Sequence, residues 1–402
     1  MKNRLFVVIA LCGLVVGCAK TMELSGPVLP ETQTPGTLYK AERVGGHSAL
    51  TLRALLWWAD LPEQVSVQHG VKLYRLQYWT TGPGGEAVVA SGLVALPKKT
   101  PTRGVVSYQH GTNPDRHATP SRPTLGEGLL GSAIFAGGGY LFVAPDYIGL
   151  GVSQEVHPYL HAQSTANAVA DLLKASHTFT AHLGLKWPEP LYLVGFSQGG
   201  HATMVAQRAL EAHNDPRFQV TAAASIAGPL DLAGTSFPTA LTGESGAHAL
   251  YLAYLIRAYS AIYGHPIDSV VAEPYAALLP ELFDGEHGPD AIIEALPTNP
   301  RDLFRQDFLD DYEHGHPTWL LDALAENEAF RWTPKAPVRL YYGEGDTDVS
   351  PKEAQAAGIE FSQRGADVTV LSVGPYEHDE SVLHAIPLVR RWFDASGAQG
   401  GD

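Results

Sequence analysis

From residue 71 onward, short apolar runs alternate with longer amphipathic ones. VKLYRLQYWTT (71–81) and AVVASGLVALP (87–97) are rich in β-branched and aromatic residues and flank Gly82-Pro83-Gly84-Gly85. That pattern predicts an antiparallel hairpin. GVVSYQ (104–109), YLFVAP (140–145), LYLVG (191–195), VTAAASI (220–226), VRLYYG (338–343) and VTVLSV (368–373) are apolar without alternation. Such runs suit strands buried on both faces of a parallel sheet. Helices fit between them at 161–182, 199–213, 351–364 and 380–394. The order predicts an α/β fold with a doubly wound, mostly parallel sheet and an antiparallel start. Ligands of such sheets sit at the carboxyl ends of the strands, where candidate chemistry is sought.

Composition narrows the classes. The 402 residues are 45% hydrophobic and 17% charged, which is ordinary for a globular chain. A net charge of -15 without a basic stripe excludes nucleic acid as the main partner. Two Cys exclude a disulfide framework and a Cys-rich zinc site. The 17 His show no HExxH or paired metal spacing, so no metal and no organic cofactor is implied.

The amino terminus reads as an address. Lys2 and Arg4 precede the apolar run LFVVIALCGLVVG, which is too short to span a bilayer as a helix. The run ends at Val15-Val16-Gly17-Cys18, which resembles a bacterial lipobox. That resemblance implies a leader over 1–17, lipidation of Cys18 and membrane attachment through the lipid. With Ala19 after the Cys, it implies a cell-envelope location, at the outer membrane or the periplasmic face. Removing the leader would bring the net charge to -17. Residues 18–48 read as a flexible tether, because Pro27, Pro30 and Pro35 alternate with Gly, Ser and Thr without apolar periodicity. The folded part is expected from Ala49.

The strongest chemical signal is Gly195-Phe196-Ser197-Gln198-Gly199-Gly200, set between a predicted strand and a predicted helix. A strand-to-helix turn this sharp strains its central residue, and flanking glycines remove the clash. Ser197 is thus the candidate nucleophile. A serine nucleophile needs a base, and the base an orienting acid, in the chain order Ser, acid, His. His378, after the last predicted strand and expected in a loop, is the candidate base. His384, within the last predicted helix, and His201, one turn after Ser197, read as structural. Asp346, Asp348 and Glu344 follow the strand at 338–343 and are the candidate acids. The backbone N–H of Gln198 is one oxyanion donor by the geometry of the turn.

SYQHGT (107–112), APDYIGLGVS (144–153) with HPYL (157–160), GFSQGG, YYGEGDTDVSP and the His378 segment fall in this order across about 70–394. Together they resemble the serine α/β-hydrolases, and most of all the secretory lipase group and related bacterial esterases. Gly343, Asp346 and Val349 resemble the Gly-x-x-Asp-x-x-Val pattern of these hydrolases, which makes Asp346 the preferred acid, with Asp348 and Glu344 as alternatives. The resemblance also implies a second oxyanion donor in the His110-Gly111-Thr112 turn: Thr112, with Gly111 as second choice. Asp146 and Tyr147 read as structural or pocket-wall residues.

Between the strands at 220–226 and 338–343 lie about a hundred residues, far more than a connection needs. Residues 232–335 contain helical runs, and the resemblance implies a cap over the site, splitting the core into 49–231 and 336–396. Its run 247–263 is apolar all round, as in a packed core or a lipophilic wall. The segment holds 16 Asp or Glu against 5 Lys or Arg, which would disfavour anionic substrates. The expected function is that of a carboxylic ester hydrolase on a small-molecule or lipid ester, working through an acyl-enzyme. A prolyl-type serine peptidase with the same triad is the alternative. A non-catalytic surface-binding lipoprotein is disfavoured, because Ser, acid, His and the His-Gly turn are all retained.

Overall fold

The computed structural model describes residues 33–61, 65–101, 103–122 and 126–398. One sheet is built from β1 (Leu38–His47), β2 (Val71–Thr81), β3 (Ala87–Pro97), β4 (Val105–Gln109), β5 (Leu141–Pro145), β6 (Leu191–Phe196), β7 (Val220–Ile226), β8 (Val338–Tyr342) and β9 (Val368–Ser372). Their order is β1-β2-β3-β5-β4-β6-β7-β8-β9. The joints β1–β2, β2–β3 and β3–β5 are antiparallel, and every joint from β5 to β9 is parallel. The expected hairpin has the expected ends, with Val71 opposite Pro97 and Thr81 opposite Ala87.

The sheet is covered on both faces from β4 to β8, which explains why those strands are apolar without alternation. The run at 368–373, expected to be buried on both faces, forms the edge strand β9, in which no residue is buried because no further strand pairs with it. Along β6, Leu191 and Leu193 join one core, while Tyr192, Val194 and Phe196 join the other. The first core is completed by α3 (Ala162–His182), α4 (Gln198–His213) and α11 (Lys352–Gln363). The second is completed by α1 (Ala49–Trp58), α2 (Glu127–Ile134) and α12 (His378–Ala398). Residues 232–335 hold α5 (Phe237–Ala240), α6 (His248–Tyr263), α7 (Tyr275–Leu282), α8 (Pro289–Ala295), α9 (Gln306–Glu313) and α10 (Trp319–Glu326). These helices share a third core, to which the rest of the chain contributes Tyr159 and Leu160. The all-round apolar α6 is buried at its centre, with Ala253, Ile256 and Tyr259 fully enclosed.

Two further expectations need correction. The segment 18–48 is not all tether, because residues 38–47 form β1, the antiparallel edge strand. Leu38 and Ala41 are buried there. The register slips between Leu38 and Lys40 and again between Arg43 and Gly45, which breaks the period-two pattern a strand would show in sequence. His378 does not sit in a loop: it is the first residue of α12. The leader and Cys18 lie outside the described residues. Among the described residues no helix is long and apolar enough to cross a membrane.

Candidate active site

The turn between β6 and α4 carries Ser197 at φ 56 and ψ -122. A positive φ strains a residue with a Cβ and persists only where the surroundings enforce it. Here they do. A Cβ on Gly195 would lie 2.1 Å from the Gly199 carbonyl oxygen, and one on Gly199 would lie 1.9 Å from that of Gln109. Two other strands of the sheet are followed by the same strained conformation, with Tyr147 after β5 at φ 69 and Ala227 after β7 at φ 45.

The structure brings Ser197, His378 and Asp346 together. His378 Nε2 is 2.8 Å from Ser197 Oγ, and His378 Nδ1 is 2.8 Å from Asp346 Oδ2. Nδ1–H donates to the carboxylate, leaving Nε2 to accept from the serine hydroxyl. Asp346 Oδ1 accepts the backbone N–H groups of Asp348 at 3.0 Å and Val349 at 2.9 Å, so the carboxylate cannot swing. All three side chains are buried. Burial disfavours the imidazolium of His378, but the hydrogen bond and charge of Asp346, then the charges of Asp348 and Asp379, outweigh it and raise its pKa above 6.5.

Asp348 does not reach His378. Its carboxylate accepts from Tyr251 Oη at 2.8 Å and from Ser245 Oγ, both on residues 232–335. Glu344 accepts from Ser372 Oγ at 2.7 Å, at the exposed edge of the sheet. His201 is buried with Nε2 2.8 Å from the Asn327 carbonyl, and His384 stacks on Tyr376 at 3.6 Å. Asp146 is fully buried and accepts from Ser91 and Ser121, both at 2.5 Å.

The donor side is braced by Glu127, which the sequence did not mark, and by His157 of the HPYL segment. Glu127, at the start of α2, accepts the Gly111 N–H at 3.1 Å and the Tyr108 hydroxyl at 2.5 Å. The Gly111 N–H is therefore engaged, and of the two donors expected in that turn only Thr112 is open. Among the described residues, the backbone N–H groups of Thr112 and Gln198 make no hydrogen bond. Burial pushes the Glu127 carboxyl above its ordinary range, against the lowering effects of His110, Tyr108 and Gly111. On the other side, His157 Nδ1–H donates to the Ile148 carbonyl at 2.7 Å, so Nε2 accepts from the Gln198 side-chain amide at 2.8 Å. Burial holds His157 down at about 4, partly offset by its bond to Ile148, so it stays a neutral acceptor.

A cavity of about 60 Å³ opens beside Ser197. Leu160, Pro229 and Val349 wall it from the sheet side, and Phe237, Leu252 and Leu255 from the helical insertion. Glu353 reaches the same cavity from α11. It accepts the N–H groups of Leu230 at 2.9 Å and Asp231 at 2.7 Å, and the Ser236 hydroxyl. Burial pushes its carboxyl up to about 8 despite those bonds. A lone Glu early in a surface-patterned helix gave no sequence signal for this. Among the described residues no group of three His, Cys, Asp or Glu is placed to hold a metal.

No family model and no curated protein matches the chain. Solved structures do. A protein of Legionella pneumophila subsp. pneumophila, assigned as a hydrolase, is 29% identical at a TM-score of 0.82, over 90% of this chain and 97% of that one. The rice cell wall degrading esterase LipA of Xanthomonas oryzae is 27% identical at a TM-score of 0.79, over 91% of this chain and 98% of that one. Candida antarctica lipase A shares the fold at 16% identity and a TM-score of 0.65, over 90% of this chain and 83% of that one.

Proposed function

We propose that the chain, an enzyme of the α/β-hydrolase fold and of the carboxylesterase or lipase type, cleaves carboxylic esters through an acyl-enzyme on Ser197. The carrying observation is the unbroken chain of hydrogen bonds Ser197–His378–Asp346, both links at 2.8 Å. Ser197 Oγ attacks the ester carbonyl while His378 Nε2 takes its proton. The imidazolium is stabilised by Asp346 and then gives the proton to the departing alkoxide. Water, deprotonated by the same nitrogen, attacks the acyl-enzyme; the bond from the acyl carbon to Ser197 Oγ then breaks, Oγ takes the proton back from His378, and the carboxylic acid leaves. The oxyanion of each tetrahedral intermediate lies between the N–H groups of Gln198 and Thr112, with the amino end of α4 behind it. Glu127 and the His157–Gln198 pair set the direction of those two donors.

The small apolar cavity favours a short acyl chain, with the alcohol part outside it. A prolyl-type peptidase would need a free carboxylate for a substrate amino end. Asp348 and Glu353 both reach the cavity, but each already accepts from donors of the chain itself. The ester reading is therefore preferred.

The test is hydrolysis of p-nitrophenyl esters from acetate to palmitate, with a prolyl anilide beside them. Ester turnover that falls by on the order of 10³-fold or more in Ser197→Ala supports the reading. Anilide cleavage without ester turnover, or turnover indifferent to Ser197, refutes it. We further propose that Cys18 is lipidated and holds the enzyme at a bacterial envelope membrane. The basis is the sequence before it, and the check is incorporation of labelled palmitate that Cys18→Ser abolishes.

A further inference from the structure

Helix α1 is apolar on both sides. Leu52 and Leu56 face the core. On the opposite side Leu50, Ala54, Trp57 and Trp58 recur at i, i+4, i+7 and i+8, with Leu50 75%, Trp57 83% and Trp58 44% exposed. A contiguous apolar stripe marks a surface that meets something other than water. Tryptophan is the side chain that settles at a lipid–water boundary, where its ring is buried and its N–H stays wet.

The surroundings of the stripe are basic. Lys98 flanks Gly70 together with Ser48, the N-cap residue of α1. Lys98 and its neighbour Lys99 are both exposed. Residues 33–103 hold 8 Lys or Arg against 4 Asp or Glu, in a chain whose net charge is -15. The acidic excess sits instead in residues 232–335. The start of α1, with Lys98 and Lys99 beside it, and Ser197 lie at different ends of the sheet. His47, Val71 and Pro97 meet at the end where α1 begins. Ser197 follows the carboxyl end of β6, at the opposite end.

We propose that the outer face of α1, with Lys98 and Lys99, lays the enzyme against an anionic bilayer with Ser197 turned away from the lipid. The bilayer is attracted at the basic end and repelled at the acidic one. A second copy of the chain fits worse, because a two-fold contact through one helix would face those lysines with their own copies. The active site then draws its ester from the aqueous side, as a soluble or polymer-linked acyl group, and not from the bilayer beneath. The docking surface is independent of the chemistry assigned to Ser197.

The experiment is amide hydrogen exchange of the full chain in phosphatidylcholine vesicles, with and without phosphatidylglycerol. Exchange over 49–58 is expected to slow several-fold in the anionic vesicles. The slowing should disappear in Leu50→Glu/Trp57→Glu and weaken in Lys98→Glu/Lys99→Glu, with melting temperatures unchanged. Equal exchange with and without anionic vesicles overturns the proposal. So does slowing without vesicles that grows with protein concentration, which would mark self-association.

Discussion

Asp346→Asn separates orientation of the base from mere proximity of charge. In the native site, Oδ1 is fixed by two N–H donors, from Asp348 and Val349, and Oδ2 receives the proton on His378 Nδ1. An asparagine must keep its carbonyl oxygen facing those two donors. Its NH₂ then faces Nδ1, and two donors cannot share one line. The imidazole is driven to its other tautomer, with the proton on Nε2 pointing at Ser197 Oγ. A nitrogen that carries a proton cannot take one from the serine. The expected loss in kcat/KM is about 10⁴-fold, or about 5 kcal/mol of transition-state stabilisation. Asp348→Asn is the control. Its partners, Ser245 and Tyr251, are hydroxyls that can donate or accept, so an amide fits them, and the loss should stay within about tenfold. The assay is kcat/KM on p-nitrophenyl butyrate at a pH where His378 is neutral, with a thermal melt to confirm folding. If Asp346→Asn keeps more than about a tenth of the rate while Asp348→Asn loses on the order of 10³-fold, the assignment of the acid is wrong.

Three further outcomes follow from the site. Only the neutral imidazole can accept the serine proton, and carboxylates raise the pKa of His378 above 6.5, so kcat/KM should fall on acidification from a midpoint above that value. Asp348→Asn, which removes one of those charges, should move the midpoint down in a pH–rate profile. Glu127→Ala removes the acceptor that holds the Gly111 N–H, so kcat should fall by roughly 10–100-fold. Affinity for a boronic acid should fall with it while KM changes little, and Glu127→Gln, which keeps an acceptor, should recover most of both. Glu353 is pushed up to about 8, so the native state holds a proton there that the unfolded chain releases at lower pH. That contribution is fully present below the ordinary carboxyl range and is lost as pH rises through about 8. The melting temperature of the native enzyme should therefore decline relative to Glu353→Gln between about pH 5 and pH 9, and parallel curves would refute it.

Much of this molecule is legible one element at a time. Runs such as LYLV and VTAAASI have to be strands with both faces covered, since nothing else hides such a run between turn residues. Gly-Phe-Ser-Gln-Gly-Gly between a strand and a helix leaves its serine in a strained turn, because the glycines are placed where a Cβ would strike backbone. The edge strand β1 was not legible, since two register slips erase the alternation by which a strand is known.

Local pattern thus determined every strand but β1, the turn that carries Ser197, the order of the triad candidates and the presence of a long helical insertion. Only the tertiary structure decided between Asp346 and Asp348. They are two residues apart on one turn, and which carboxylate meets His378 depends on how the loop is pinned by Ser245 and Tyr251, about a hundred residues away. The same holds for Glu127, His157 and Glu353. Their roles come from what burial and packing set opposite them, and such long-range contacts leave no periodic trace in the chain.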